Sequence, residues 1–120
     1  MAAGHYGLDN LCAVVDRNGL QISGSTEDVM SHEPLRSRFE AFGWHVIECD
    51  GNDMNSLDAA FTEAKNTKGQ PSVVIAHTVK GCGSPVMENQ APWHHKVPNA
   101  EEYARIEADL AARKEALEHA

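Results

Sequence analysis

Three short apolar runs alternate with stretches of helical periodicity, and this alternation constrains the fold more than any other feature of the chain. The runs cover residues 11–15, 44–49 and 72–79, and the last is apolar at nearly every position. Strands that are apolar throughout are typical of parallel sheets covered on both faces. The sequence therefore predicts an α/β fold in which helices join the strands.

The stretches between the runs have the spacing of helices. Leu35, Phe39 and Phe42 recur at helical intervals within residues 33–42. Residues 56–65 place their apolar side chains on one face, as an amphipathic helix does. We therefore predict one helix before the second strand and another after it.

The C-terminal third is predicted to be a long loop followed by one helix. Residues 80–98 show no periodicity and contain three prolines, and loops of that length are usually functional or disordered. Asn99 is a suitable N-cap for a helix over residues 99–120, because acidic residues follow it at the positive end of the helix. At the other end of the chain, residues 1–5 read as the last turn of a helix.

Composition and charge exclude several classes of partner. The chain has 120 residues, enough for one small domain, and a net charge of -8, which disfavours nucleic acids and anionic membranes. Its three cysteines are an odd number without metal-like spacing, as in a reduced cytoplasmic protein. No signal peptide and no apolar run of membrane-spanning length are apparent. We expect a cytoplasmic protein without a membrane or nucleic-acid partner.

A polar loop follows the first run, which we interpret as a buried strand ending at Asp16. The loop begins Asp-Arg-Asn-Gly and ends at Gly24. In open α/β sheets, ligands bind beyond the carboxyl ends of the strands. A side-chain amide and backbone carbonyls in that position suit Mg²⁺, which prefers oxygen ligands shared with phosphates. Turn chemistry alone also accounts for Asp, Asn and Gly here, so both interpretations stay open.

Six stretches of the chain together match the sequence motifs of one known family. They are Ala-Gly-His-Tyr-Gly-Leu-Asp-Asn-Leu at 3–11, Val-Asp-Arg-Asn-Gly-Leu-Gln-Ile-Ser-Gly at 15–24, Phe-Gly-Trp at 42–44, Asp-Gly-Asn-Asp at 50–53, Thr-Val-Lys-Gly-Cys-Gly at 78–83 and Trp-His at 93–94. With these stretches, the chain strongly resembles transketolase, in the second half of its thiamine diphosphate-binding domain.

The resemblance implies an incomplete domain. The fold would be a parallel-sheet three-layer sandwich of the thiamine diphosphate-binding type, with residues 1–120 as a single partial domain equivalent to its C-terminal half. The Gly-Asp-Gly stretch that opens the family's diphosphate motif is not in this sequence. By the resemblance, it would lie upstream of Met1.

The resemblance also assigns site residues. It implies that Asn18 binds Mg²⁺ through its side-chain oxygen, Leu20 binds it through its backbone carbonyl, and Ile22 lies against the cofactor. It places Gly81 beside the cofactor. It makes His94 a catalytic residue that faces the diphosphate and the reacting carbon, where histidine can donate, accept or carry a proton. The family has glycine after that histidine, whereas this chain has His95.

The activity implied is transfer of a two-carbon ketol unit between sugar phosphates, as in the pentose phosphate pathway. Thiamine diphosphate supplies the chemistry, and the protein supplies binding and positioning. The family's activating glutamate and most sugar-phosphate contacts lie outside the region resembled. We therefore expect partners, either the remaining transketolase segments or a subunit with the pyrimidine-binding domain, in an oligomer. The isolated chain is expected to be inactive.

Three alternatives remain open from the sequence. In the first alternative, the chain is an α/β module with only a structural or interaction role. In the second it is a dinucleotide-binding module, which the absence of Gly-x-Gly-x-x-Gly after any predicted strand disfavours. The third is a zinc site formed by Cys82, His94 and His95, which lacks a fourth ligand.

Overall fold

A parallel sheet organises the chain, as predicted. The computed structural model describes residues 1–119. The sheet contains β1 (Cys12–Arg17), β4 (His45–Asp50) and β5 (Ser72–His77), in the order β1-β5-β4. Both neighbours of β5 run parallel to it. The β-branched residues of β5 fill the centre, and Val73 and Val74 are completely buried.

A helix covers each face of the sheet. On one face, Ala60 and Ala64 of α4 (Met54–Asn66) pack against Ile47 and Val74. On the other face, side chains of α3 (Leu35–Ala41) pack against a second cluster centred on Val73. The predicted three-layer α/β arrangement is therefore present around this sheet.

The remaining elements are short except for the last helix. They are α1 (Ala2–His5), β2 (Leu20–Gln21), β3 (Gly24–Ser25), α2 (Thr26–Met30), a 3₁₀ helix (Ala91–His94) and α5 (Ala100–Glu118). The strands β2 and β3 form an antiparallel hairpin that the sequence did not predict. Asn99 caps α5 as expected: its side chain accepts from the backbone N–H of Glu102, and the Glu102 carboxylate accepts from the backbone N–H of Asn99. The predicted helix extended to Ala120, which lies outside the described residues.

The first strand differs from the prediction in its burial. It was expected to be buried, but Cys12, Val14 and Asp16 are exposed because, among the described strands, β1 lies at the edge of the sheet beside β5. Other differences concern boundaries. The helix α4 begins at Met54 because Asp53 caps it, accepting from the backbone N–H of Ser56 at 2.8 Å.

The chain divides into two compact units. The first contains Met1–Asn18 and Met30–Thr78, and the second contains Gly19–Val29 and the chain from Val79 onward. The parallel sheet with α3 and α4 belongs to the first unit. The hairpin, the 3₁₀ helix and α5 belong to the second. No helix among residues 1–119 is long and apolar enough to cross a membrane.

An ionic network lies on the α3 side of the sheet. Glu48 accepts from Arg36 Nε at 2.7 Å and is paired with His77 Nε2 at 3.0 Å. Arg36 also bridges to Glu40 at 3.2 Å. The hydrogen bond to His77, followed by the one to Arg36, holds the pKa of Glu48 below its ordinary value. The network thus favours the ionised carboxylate in the folded state.

The first prediction concerns Glu48 and pH. A lowered folded-state pKa stabilises the protein above about pH 4.3, the ordinary glutamate pKa, and this contribution is lost as the pH falls through the folded-state value. Glu48→Gln should therefore lower the free energy of unfolding at pH 7 by up to about 1 kcal/mol, as for partly exposed ion pairs. The difference from the parent should shrink as the pH approaches 3, measured by urea unfolding.

Glu107→Gln is the control, because Glu107 is an exposed carboxylate on α5. It should leave the free energy of unfolding unchanged at pH 7. A Glu48→Gln effect that stays constant down to pH 3 would contradict the proposed ionic origin.

Candidate functional site

The carboxyl end of the sheet in the first unit holds three polar residues together. The Asp16 carboxylate accepts from the Thr78 hydroxyl, and its Oδ1 also accepts from the Asn18 side-chain amide at 3.4 Å. The backbone N–H of Thr78 donates to the carbonyl of Arg17 at 3.4 Å. Asn18 therefore lies just beyond β1 with its amide nitrogen turned toward Asp16. The sequence singled out Asn18 but not Thr78, because the position of Thr78 beside Asp16 depends on the pairing of β1 with β5.

Two further contacts position this edge. Arg17 Nε donates to Glu33 at 2.8 Å, which ties the end of β1 to the segment before α3. Gly51 follows β4, and a Cβ there would come within 2.5 Å of Thr78 Cγ2 and 2.8 Å of Ala76 Cβ. Only glycine therefore fits at this point beside Thr78.

The hairpin of the second unit carries Leu20 and Ile22. Leu20 is half-buried in β2, whereas Ile22 lies in the turn with 62 % of its surface exposed. The open end of the hairpin is joined by Thr26, whose backbone N–H donates to the carbonyl of Gly19 at 2.9 Å. Within the described part of the chain, the buried Gln21 Nε2 has no hydrogen-bond partner. Buried donors normally have an acceptor, so this hairpin is suited to a polar ligand.

His94 ends the 3₁₀ helix, which packs beside β2 within the second unit. Its side chain is exposed, and its ring meets that of His95 edge to face at 5.8 Å between centroids. Next along the chain, Lys96 lies 4.4 Å above the Trp93 ring and forms an ion pair with Glu102. The structure thus brings the segments of Leu20 and His94 together, while Asn18 belongs to the other unit.

The loop that carries Gly81 is folded on itself rather than disordered. Asn89 N–H donates to the Lys80 carbonyl at 3.0 Å, and Glu88 N–H donates to the Ser84 carbonyl at 3.0 Å. Gly81 has a φ of 73°, and a Cβ there would meet Met87 at 2.7 Å. Close packing against Met87 is therefore sufficient reason for glycine at this position, and its place beside a cofactor stays a prediction.

The helix α5 anchors the same loop. The Ser84 side chain is fully buried, and its hydroxyl donates to Asp109 Oδ2 at 2.6 Å. Arg113 donates to the Cys82 sulfur at 3.4 Å, which raises the pKa of Arg113. A Cβ on Gly83 would lie 3.1 Å from a methyl group of Leu110. Sequence reasoning missed Ser84 and Asp109, because a contact between residues so far apart has no local signal.

The two predicted metal donors are oxygen atoms, which suit Mg²⁺ better than Zn²⁺. An amide side chain at Asn18 and a backbone carbonyl at Leu20 are hard oxygen ligands of the kind that Mg²⁺ takes. Over residues 1–119, no group of three or more His, Cys, Asp or Glu side chains is placed to hold a metal ion. The zinc site considered at Cys82, His94 and His95 therefore has no structural support.

The family is established by comparison with known proteins. Residues 1–117 match the model of the family described as transketolase, thiamine diphosphate binding domain. The chain therefore belongs to this family, as its motifs predicted. The individual roles of Asn18, Leu20, Ile22, Gly81 and His94 stay predictions.

Similar proteins include subunits of transketolases made from more than one chain. The chain is 48 % identical over 118 residues to an apulose-4-phosphate transketolase subunit of Phocaeicola vulgatus, covering 98 % of this chain and 42 % of the relative. It is 44 % identical over 102 residues to the subunit of the same name from Actinobacillus succinogenes, covering 85 % of this chain and 37 % of the relative. The chain thus spans less than half the length of these relatives.

Solved structures support the same fold. The transketolase of Campylobacter jejuni superposes with a TM-score of 0.85 at 26 % identity, over 92 % of this chain and 17 % of that one. The transketolase of Leishmania mexicana gives a TM-score of 0.77 at 32 % identity, over 92 % and 16 % of the two chains. The three-strand sheet therefore has the arrangement of a transketolase thiamine diphosphate-binding domain that is only partly represented in these 120 residues.

The second prediction concerns the anchor between Ser84 and Asp109. Ser84→Ala removes a buried donor and leaves the carboxylate without it, which typically costs about 1–3 kcal/mol. We expect faster hydrogen exchange over residues 79–90, followed by mass spectrometry of peptides, and a lower unfolding temperature. Ser37→Ala is the matched control, because that exposed hydroxyl makes only a 3.4 Å contact to the Pro34 carbonyl. Equal exchange in the two variants would show that the anchor does not order the loop.

Proposed function

We propose that this chain forms part of the cofactor-binding wall of a transketolase that depends on thiamine diphosphate and Mg²⁺. Other polypeptide segments complete the site, and the assembly transfers a two-carbon ketol unit between sugar phosphates. The main support is the position of Asn18, beyond the carboxyl end of a parallel sheet in a chain of this family. Ligands of open α/β sheets bind at that edge.

Each site residue has a defined task in this proposal. Asn18 offers its side-chain oxygen to Mg²⁺, and the hydrogen bond from its amide nitrogen to Asp16 orients that oxygen. Leu20 offers its backbone carbonyl to the same ion. Ile22, exposed in the hairpin turn, supplies an apolar contact to the cofactor. Gly81 belongs to the loop that borders it.

His94 is the proposed catalytic residue. Its ring is exposed at the end of the 3₁₀ helix, so a substrate can reach it. Bound thiamine diphosphate supplies the chemistry that breaks and forms the carbon–carbon bond. The imidazole of His94 donates or accepts protons at substrate oxygens as charge develops there.

Partner chains follow from the same proposal. Relatives named as transketolase subunits imply further subunits in their own enzymes, and we propose such a partner here, carrying the pyrimidine-binding domain in an oligomeric enzyme. Three free cysteines suit a reducing cytoplasm. An α/β module with only a structural or interaction role is the second candidate, since an exposed apolar strand edge such as that of β1 suits a partner.

The third prediction concerns the isolated chain. Two neutral oxygens hold Mg²⁺ poorly without a carboxylate, since Mg²⁺ sites usually include one or two. Calorimetric titration of thiamine diphosphate with Mg²⁺ into the purified chain should therefore show weak binding or none, and no ketol transfer should be detected. Saturable micromolar binding would contradict this expectation, and Asp16 and Asp50 would then be the first carboxylates to replace.

The fourth prediction separates Asn18 from His94 in an assembly completed by the remaining segments. Asn18→Ala opens a coordination position, so cofactor affinity should fall by about 10–100-fold, as for other losses around a metal. His94→Ala should instead lower turnover by about 10²–10⁴-fold, the typical contribution of a proton-transfer group. Excess Mg²⁺ and cofactor should partly rescue the first variant and not the second.

The controls are Asn66→Ala and His119→Ala, which change the same residue types at exposed positions outside the proposed site. Both should bind cofactor and turn over like the parent. Rescue of His94→Ala by excess cofactor would contradict its role. If His94→Ala keeps the parent's turnover and His95→Ala is inactive, the catalytic role belongs to His95 instead of His94. A completed assembly that binds no cofactor would favour the interaction role.

A further inference from the structure

The peptide bond after Asn18 leads to a glycine, which distinguishes Asn18 from the other asparagines of the chain. Each of the others precedes a residue with a Cβ atom. Asparagine is thermolabile, because the backbone nitrogen of the following residue can attack its side-chain amide. Glycine hinders that attack least, since it has no Cβ. Asn18 and Gly19 are also only half-buried, so water reaches them.

The backbone N–H of Gly19 is available for this attack. Within residues 1–119 it donates to no backbone carbonyl, although the Gly19 carbonyl accepts from Thr26 at 2.9 Å. The N–H groups that follow five other asparagines donate hydrogen bonds of 2.8 to 3.4 Å, and they belong to Leu11, Asp53, Ser56, Thr67 and Gln90. Asn99 is held through its side chain, in the capping box of α5. The Gly19 nitrogen is therefore the least restrained nucleophile of this kind.

The side chain of Asn18 has the nitrogen that would leave turned toward Asp16. Its Nδ2 donates to Asp16 Oδ1 at 3.4 Å, beyond the usual range of about 2.7–3.2 Å for an N–H···O hydrogen bond. This contact restrains the amide weakly and does not involve its carbonyl carbon. Attack by Gly19 on that carbon closes a five-membered ring, and such intramolecular reactions are fast because the reacting atoms stay close together.

We propose that Asn18 is a site of spontaneous deamidation with Gly19 as the nucleophile, and that Mg²⁺ bound at Asn18 protects it. The deamidation is a property of the loop after β1. The protection rests on the proposed function, in which the side-chain oxygen of Asn18 binds the metal. An unloaded chain would then lose its original metal ligand with time, whereas a loaded one would keep it.

The reaction consumes one water molecule and releases ammonia. A bond forms between the Gly19 nitrogen and the side-chain carbonyl carbon of Asn18, and the bond from that carbon to Nδ2 breaks. The Gly19 proton passes through solvent to the departing nitrogen, which leaves as ammonia. Water then opens the cyclic imide at either carbonyl, without any oxidant or reductant. The product is aspartate, or isoaspartate with the backbone running through the former side chain.

Either product alters the proposed metal site. Both replace a neutral amide with a carboxylate, which adds one negative charge beside Asp16. Isoaspartate also adds a methylene group to the backbone before Leu20, whose carbonyl is the other proposed ligand. Magnesium demands near-ideal octahedral geometry, so a shifted carbonyl costs affinity. Protection of Asn18 by the bound ion would therefore preserve the site in use.

The test incubates the purified chain at neutral and at mildly alkaline pH and follows its peptides by mass spectrometry. We expect the peptide with Asn18 to gain the mass of an amide-to-acid conversion before the peptide with Asn66, which is exposed but precedes the bonded N–H of Thr67. The conversion should be faster at the higher pH, since the attacking nitrogen must lose its proton. Enzymatic methylation of isoaspartate should label the same peptide.

Matched glycine variants test the nucleophile. Gly19→Ala should slow the conversion on the order of tenfold, because a methyl group hinders the approach to about 3–3.5 Å that the attack requires. Gly69→Ala is the control, since Gly69 has a φ of 78° against 72° for Gly19 and nothing lies within 4 Å of an added Cβ. It should convert like the parent. Gly19→Asp, which enters the left-handed region more readily than alanine, should be slow as well, and circular dichroism checks folding.

The same measurement on the assembly completed by the remaining segments tests protection. Thiamine diphosphate with Mg²⁺ should slow the conversion of Asn18 relative to the unloaded assembly, because a side chain held on a metal cannot turn toward Gly19. If the assembly binds cofactor and Asn18 converts equally fast with and without it, the metal contact of Asn18 is wrong and the deamidation site stands.

Two results on the isolated chain would overturn the deamidation site itself. One is an Asn18 peptide that converts no faster than the Asn66 peptide. The other is equal conversion of Asn18 in Gly19→Ala and Gly69→Ala. Neither measurement depends on ketol transfer, so the failure of this inference and the failure of the proposed function are distinguishable.

Discussion

The pairing of β5 with both β1 and β4 is the constraint on which the rest of the first unit depends. It places the carboxyl ends of three parallel strands along one edge, in one register. That register brings Thr78, which follows β5, to the carboxylate of Asp16 in β1. Asn18 then lies beside Asp16 because the chain leaves β1 at this point. A one-residue slip would turn each side chain to the opposite face and remove these contacts.

Side-chain hydrogen bonds and a helix cap hold the second unit together. Its long loop contains no strand and only one turn of 3₁₀ helix, so its backbone groups need partners from within the loop and from α5. The buried Ser84 hydroxyl on Asp109 holds one part of the loop. The capping box at Asn99, with Lys96 paired to Glu102, holds the other. His94 lies between these two anchors in the sequence, at the end of the 3₁₀ helix.

Local pattern decided which parts of the fold and of the candidate site could be predicted. Apolar runs located all three strands of the sheet, whereas Asn18 and His94 were proposed from the resemblance of their motifs and stay predictions. The edge position of β1 was not predicted, because an apolar run indicates a buried strand but not which strands lie beside it. Thr78 was missed because it acts through Asp16, which is distant in the chain. The hairpin of β2 and β3 was missed because strands of two residues have no periodicity to detect.

The edge position of β1 connects the fold to the proposed function. Asp16 and Asn18 lie at the end of this strand, so their geometry is supported by β5 on one side only. A metal site requires its ligands to be held within a fraction of an ångström, which a strand paired on one side achieves less well than a strand paired on both. A strand paired with the other edge of β1 would stiffen the segment that presents Asn18, the residue that we propose as a Mg²⁺ ligand.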